Sequence, residues 1–254
     1  MRRAFVTGAS SGIGAALARH YAAEGRVLGL AARRGEVLAA LAAQLPGEIV
    51  AYRVDVRDSG ELARAAADFT SRFGAPDLVI ANAGVSTGTR GEALEDVAAL
   101  RQLLEVNVVG LAATLAAFAP AMRAAGRGTL VGIASVAGFR GLPGAGAYSA
   151  SKAAAIAWLE SLRTELHGSG VAVVTVCPGY IDTPMTRGNP YRMPFLISAD
   201  EAARRIARVI AARRRFAVIP WQMALVSTVL RALPRPLYDR LAARAPRKPP
   251  GGAA

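Results

Sequence analysis

Cysteine occurs once, at Cys177, and histidine twice, at His20 and His167. A single cysteine excludes an intrachain disulfide framework and a cysteine-based zinc cluster. Two isolated histidines leave no His-rich metal site, so no metal is expected. The scarcity of cysteine favours a reducing compartment, and a cytoplasmic location is expected. Acidic residues are also few: 18 Asp and Glu stand against 31 Lys and Arg, a formal charge of +13. Lysine contributes only Lys152 and Lys248, and arginine supplies the rest. Such an excess suits nucleic acid or anionic lipid. No helix-turn-helix, zinc or RNP signature accompanies it, and Arg accompanies Ala along the whole chain, so no nucleic-acid partner is expected. A secretory leader is not expected, because Gly8-Ala9-Ser10-Ser11-Gly12 arrives where an apolar segment would follow Met1-Arg2-Arg3. The most continuous apolar run, Phe216 to Leu230, is interrupted by Pro220, Gln222, Ser227 and Thr228. It falls short of the ~20 residues of a spanning helix.

What is present is apolar material for one large core: 53% of 254 residues are hydrophobic and 19% charged. Short apolar runs alternate with helical patterns. Strands are expected at Ala4–Val6, Val27–Leu30, Ile49–Val54, Leu78–Ala81, Thr129–Ala134, Val171–Cys177 and Phe216–Ile219. Helices are expected at Ile13–Ala23, Glu36–Leu45, Ser59–Phe73, Val97–Ala124 with a break near its middle, Ala147–Leu166 and Ser198–Arg214. The strands are continuously apolar, as in a parallel sheet covered on both faces. The fold class is therefore α/β, a doubly wound, Rossmann-like parallel sheet of about seven strands. One domain over residues 1–220 is expected, followed by a helical C-terminal extension over 221–254 whose Pro- and Gly-rich end is frayed.

Where strand one passes into the first helix, the chain reads Thr7-Gly8-Ala9-Ser10-Ser11-Gly12-Ile13-Gly14. A helix N-terminus there offers free N–H groups to a pyrophosphate, and glycines allow close approach. The spacing is G-x-x-x-G-x-G rather than the general G-x-G-x-x-G. After strand two the chain reads Ala31-Ala32-Arg33-Arg34, with no carboxylate for a ribose 2′-hydroxyl. Two guanidiniums suit a 2′-phosphate, so NADP is expected rather than NAD. Tyr148 and Lys152 are four residues apart on one helix face. A free phenol, with pKa near ~10, is a poor base at neutral pH, and a nearby ammonium favours its phenolate. Ser135 ends strand five, at the sheet edge where such folds bind ligands, and its hydroxyl suits a substrate carbonyl.

These motifs, in this order, resemble the short-chain dehydrogenase/reductase family of about 250 residues. The resemblance runs from Thr7 to Thr183. It takes in the glycine turn, Asp55-Val56 after strand three, Asn82-Ala83-Gly84 after strand four, then Asn107, Ser135, Tyr148 and Lys152, and Pro178-Gly179-x-x-x-Thr183. The family implies that Asp55 and Val56 contact adenine and that Asn82, Ala83 and Gly84 floor the adenosine ribose. It implies that Pro178, Gly179, Ile181 and Thr183 hold the nicotinamide. Tyr148 would be the acid/base, Ser135 would steady the substrate oxygen, and Lys152 would bond the nicotinamide ribose and lower the Tyr148 pKa. Asn107 would hold a water linking Lys152 to solvent. The implied activity is NADP(H)-dependent interconversion of a carbonyl and a secondary alcohol. The three-residue interval between Tyr148 and Lys152 argues against carbon–carbon double-bond reduction, for which the family's enoyl reductases use six.

The segment after Thr183 would form a lid; its Met185, Tyr191, Met193 and Phe195 suit an apolar substrate, while Arg187 and Arg192 would meet an anion or solvent. Cys177, His20, His167, Trp158 and Asp182 are read as packing, capping or turn residues. The apolar helices Val97–Ala124 and Ala147–Leu166 would pair subunits into a homodimer or homotetramer. Trp221 and the apolar run after it precede Arg231, Arg235, Arg240, Arg244, Arg247 and Lys248, opposed only by Asp239. That segment would give weak contact with an anionic membrane surface, or its Met223, Leu225, Val226 and Leu230 would pack over the substrate cleft or a second subunit. Alternative functions on the same fold are a non-catalytic dinucleotide sensor and a membrane-surface scaffold.

Overall fold

The computed structural model describes residues 2–245 and 247–248. Seven parallel strands form the sheet: β1 (Arg3–Thr7), β2 (Val27–Ala32), β3 (Ile49–Arg53), β4 (Leu78–Ala81), β5 (Gly128–Ile133), β6 (Val171–Pro178) and β9 (Phe216–Ile219). A separate two-stranded pair joins β7 (Ile181–Asp182) to β8 (Ile197–Ser198). The main order is β3-β2-β1-β4-β5-β6-β9. The chain moves outward from β1 to β3, then returns to lay β4 on the other side of β1. Crossovers above β1 and β4 therefore diverge and leave a crevice at their carboxyl ends, where such sheets bind ligands. Val6 is in register with Leu30 on one side and Ile80 on the other.

Helices cover both faces, which is why the strand residues are buried without alternation. On one face, α1 (Gly12–Ala23), α2 (Gly35–Gln44) and α8 (Ala199–Ala211) bury Leu17, Tyr21, Leu38, Ile206 and Ile210 against Val6, Leu30, Ile80 and Val174. On the other, α3 (Ser59–Phe73), α4 (Val97–Leu104), α5 (Gly110–Ala124) and α6 (Gly146–Glu165) bury Phe69, Leu103, Phe118 and Leu159 around Phe5. The Phe5 ring lies 5.6 Å from Phe69 and 4.6 Å from Phe118, centroid to centroid. Asp58 caps α3 and Ser198 caps α8, each accepting the N–H of the glutamate three residues on, Glu61 and Glu201.

The break expected near the middle of Val97–Ala124 is a π-helical turn, Glu105–Val109, which joins α4 to α5 without ending the helix. Helix Leu94–Ala124 is long and apolar enough to cross a membrane by length and composition. The most membrane-like run is thus here and not at Phe216–Leu230. Its apolar face serves the core instead: Leu103, Val106, Leu111, Leu115, Phe118 and Met122 all pack in the Phe5 cluster.

Beyond β9, α9 (Trp221–Ala232) and α10 (Arg235–Ala242) follow. Met223 is buried and Val226 and Leu230 are half-buried on the inner side of α9, but Leu225 points outward with Trp221 and Val229. Leu225 lies two residues after Met223, so the 3.6-residue period places it on the far side of the helix. The Pro- and Gly-rich end expected to fray, apart from Arg247 and Lys248, lies outside the described residues.

Candidate active site

The crevice between the ends of β1 and β4 opens into a cleft of about 310 Å³. Gly8, Ser10, Ser11, Gly12, Ile13, Arg33, Arg34, Asp55, Val56, Asn82, Ala83, Gly84, Ser135, Tyr148, Lys152, Pro178, Gly179, Ile181 and Thr183 all line it. Residues separated by as many as 175 positions are thus gathered at one sheet edge, from strand ends, the loops after them, the start of α1 and, for Tyr148 and Lys152, α6. Gly14 and Asn107 stand behind the wall.

Tight packing explains the glycine turn. Gly8 has φ +66° and a Cβ there would lie 2.7 Å from Ala83 Cα. A Cβ on Gly14 would overlap the Gly8 carbonyl. The loop therefore lies flat on Asn82-Ala83, and its N–H groups are left at the start of α1. Asn82 Nδ2 holds it down by donating to the carbonyls of Thr7 and Gly8, at 3.1 and 3.3 Å. Thr7 Oγ1 in turn accepts from the backbone N–H of Asn82 at 3.2 Å. This cradle fits a pyrophosphate by its chemistry.

At the far end, the Arg34 guanidinium donates to Ser10 Oγ and Ser11 Oγ at 3.1 and 2.8 Å. Arg33 is exposed beside it and also lines the cleft. Two guanidiniums and two hydroxyls thus meet without a carboxylate between them. Asp55 is not free: Arg57 holds its carboxylate, with Nη2 2.6 Å from Oδ2. That pairing keeps the Asp55 carboxyl below its ordinary range. Arg57 is a site neighbour that the sequence reading missed, and its only sequence signal is the Asp-x-Arg spacing after β3.

Ser135 starts a short 3₁₀ turn and its Oγ accepts the Ala137 N–H at 3.1 Å, which leaves its proton free to donate. The half-buried Tyr148 phenol is pushed up from its ordinary pKa by burial, and the neighbouring Ser135 hydroxyl opposes that shift by stabilising the phenolate. Lys152 is 4% exposed. Its Nζ donates to the Ile133 carbonyl at 2.9 Å and lies 5.9 Å from the Tyr148 ring centroid. Burial lowers its pKa to about 8. The ammonium therefore stands below the ring and is not hydrogen-bonded to the phenol. Cys177 is fully buried nearby and its thiol is pushed up to about 12, so it is a packing residue and not a nucleophile. His20 pairs with Glu24, and Asp182 with Arg187.

Asn107 sits in the π-helical turn, fully buried. Its Oδ1 accepts the Val85 N–H at 2.9 Å, and its Nδ2 donates to the Val85 carbonyl and to Ser151 Oγ, both at 3.0 Å. The side chain thereby pins the strand-four loop to the α6 helix that carries Tyr148 and Lys152. Asn107→Ala strips partners from two backbone groups of a buried residue, at ~1–3 kcal/mol each. Urea unfolding is expected to register a loss of about 2–6 kcal/mol; a change within about 0.5 kcal/mol would refute the pinning role.

Comparison with known proteins agrees with this geometry. The family described as short chain dehydrogenase matches residues 2–192. An uncharacterized oxidoreductase of Myxococcus xanthus is 40% identical over 96% of this chain and 97% of its own length. The cis-4-hydroxycyclohexanecarboxylate dehydrogenase of Sinomonas cyclohexanicum is 34% identical over 82% of this chain and 84% of its own. Among solved structures, a short chain dehydrogenase from Burkholderia cenocepacia in complex with NADP superposes with a TM-score of 0.83 at 29% identity, covering 97% of this chain and 100% of that one. Another, from Burkholderia phymatum in complex with NAD, gives 0.82 at 26%, covering 98% and 97%. Sheet order, glycine cradle and sequence similarity over nearly the whole chain have one common explanation: the chain belongs to the short-chain dehydrogenase family of oxidoreductases.

Proposed function

We propose that the protein interconverts a carbonyl and a secondary alcohol with NADP(H), on a substrate with an apolar body. The observation that carries this reading is the grouping of Ser135, Tyr148 and Lys152 in the same cleft as the glycine cradle. The named reaction of the Sinomonas relative, on a ring hydroxyl, supports the reaction class. Pro178, Gly179, Ile181 and Thr183 would hold the nicotinamide end, Asn82, Ala83 and Gly84 the ribose, and Asp55 and Val56 the adenine. The dinucleotide supplies the hydride in reduction and accepts it in oxidation. Ser135 donates its free hydroxyl proton to the substrate oxygen. Tyr148 gives a proton to that oxygen in reduction and takes it in oxidation. Lys152 holds the ribose hydroxyls and, as a cation under the ring, favours the phenolate. Asn107 keeps this wall in register, and a water beyond it would carry protons to solvent.

Arg33 and Arg34, with Ser10 and Ser11, support a 2′-phosphate and hence NADP over NAD. Across a panel of ketones, kcat/KM with NADPH is expected to exceed that with NADH by about tenfold or more, as two forked charged contacts allow. Exchanging Ala32 for Asp and Arg33 for Ser is expected to reverse the order. Tighter use of NADH by the unmodified protein would sink the cofactor assignment.

Residues 1–220 are read as the catalytic unit and 221–254 as an extension of it. A homodimer or homotetramer is proposed from apolar residues left on the surface: Val97 and Val109 on the long helix, and Trp221, Leu225 and Val229 at four-residue spacing on α9. With Arg231, Arg235, Arg240 and Arg244 beside it, the α9 stripe also suits weak contact with an anionic membrane from a cytoplasmic location.

A further inference from the structure

The chain's second lysine, Lys248, meets the loop after β4. After α10, the tail turns back over the loop that leads into the Tyr148 helix. Arg140 in that loop donates to the carbonyls of Leu230 and Leu233 at 2.8 and 2.9 Å, capping the end of α9. The same guanidinium stacks 4.1 Å from the Tyr238 ring centroid, and the Tyr238 hydroxyl donates to the Gly141 carbonyl. Gly144 has φ +75°, and a Cβ there would lie 2.7 Å from Arg247 Cβ, so the tail runs directly on the loop. The next residue, Lys248, donates from Nζ to Ser86 Oγ at 3.0 Å. Ser86 follows Val85, which lines the cleft, and Gly84 before it abuts both Asn107 Oδ1 and Lys152 Nζ.

Lys248 is therefore a half-buried cation bonded to the loop after β4, at the residue that follows the cleft-lining Val85. Burial depresses its pKa, and no carboxylate pairs with it among the described residues. An ammonium removed from water and given only the neutral hydroxyl and carbonyl of Ser86 is left undercompensated. The two arginines of the lid do not serve this end of the cleft: Arg187 is tied to Asp182, and Arg192 is exposed. We propose that Lys248 receives the carboxylate of the substrate, so that the enzyme acts on keto acids or hydroxy acids whose reacting carbon lies away from the acid group. This inference rests on the carbonyl–alcohol reading and names its substrate class.

The test uses the full chain with NADPH and three ketone pairs, each a keto acid against its methyl ester: 4-oxocyclohexanecarboxylate, 4-oxopentanoate and 4-acetylbenzoate. For at least one pair, kcat/KM for the acid is expected to exceed that for the ester by about tenfold or more, chiefly through KM. Lys248→Gln is expected to remove that margin while leaving the ester rate unchanged, and Lys248→Arg to restore most of it. Equal use of acid and ester in every pair, or a loss in Lys248→Gln that strikes both forms alike, would overturn the assignment. A second readout needs no turnover. With only two lysines in the chain, acetylation of Lys248 is read directly by mass spectrometry, and the three acids, but not the esters, are expected to protect it. Absence of turnover for both members of every pair contradicts the carbonyl reading; absence of protection as well overturns the Lys248 assignment.

Discussion

Tyr148→Phe is expected to retain the fold and NADPH binding but to lose turnover by about 10²–10⁴-fold, the range for a positioned general acid. The phenol ring packs against the Phe5-side core, and only its hydroxyl projects to the Ser135 neighbourhood. Removing that hydroxyl costs little packing and takes away the transferred proton. Steady-state rates, together with a fluorescence titration of NADPH, separate the two effects. Turnover within a few-fold of the unmodified protein would refute the assignment of Tyr148 as the acid/base.

Lys152→Met is expected to reduce both cofactor affinity and rate, because one ammonium serves the ribose and the phenolate. Each charge-assisted contact removed is worth about tenfold or more. The variant also has a pH signature. Lys152 has its pKa lowered from 10.5 to about 8 in the folded protein. Between those values the unfolded chain binds the proton that the folded chain has released, so this group makes stability rise with pH from about 8 to 10.5. Below about 8 both states are protonated and the desolvation penalty is carried in full. Lys152→Met is expected to abolish that rise, and to be no less stable than the unmodified protein at neutral pH, since an apolar side chain of similar length replaces a buried cation. Urea midpoints between pH 7 and pH 10 check the sign; an unchanged pH slope would show that Lys152 keeps its ordinary pKa.

Much of the fold was legible in the sequence for a local reason. Leu78–Ala81 is apolar throughout and Ser59–Phe73 carries a capping Asp58 and a terminating Gly74, and both elements have the bounds expected. The glycine turn was legible because close backbone approach leaves a mark in residue type. The middle of Val97–Ala124 was less so. A π-helical turn keeps the helix continuous, and the Asn107 side chain within it meets Val85, 22 residues away, a contact with no local sign.

The sequence by itself determined the strand–helix alternation, the phosphate cradle, the lack of a carboxylate after β2, and the family. Each of these follows from composition within a few residues: continuous apolar runs, glycine spacing, the order of short motifs. Only the tertiary structure decided that Asn107 pins the Val85 loop and that Lys152 stands below the Tyr148 ring and bonds Ile133. It alone brought Arg140 to Leu230 and Lys248 to Ser86, across 90 and 162 positions of chain. The physical reason is that such contacts depend on which side chains the crossovers carry to one sheet edge. An arginine or lysine in a chain with 31 of them bears no local sign of which partner it will meet.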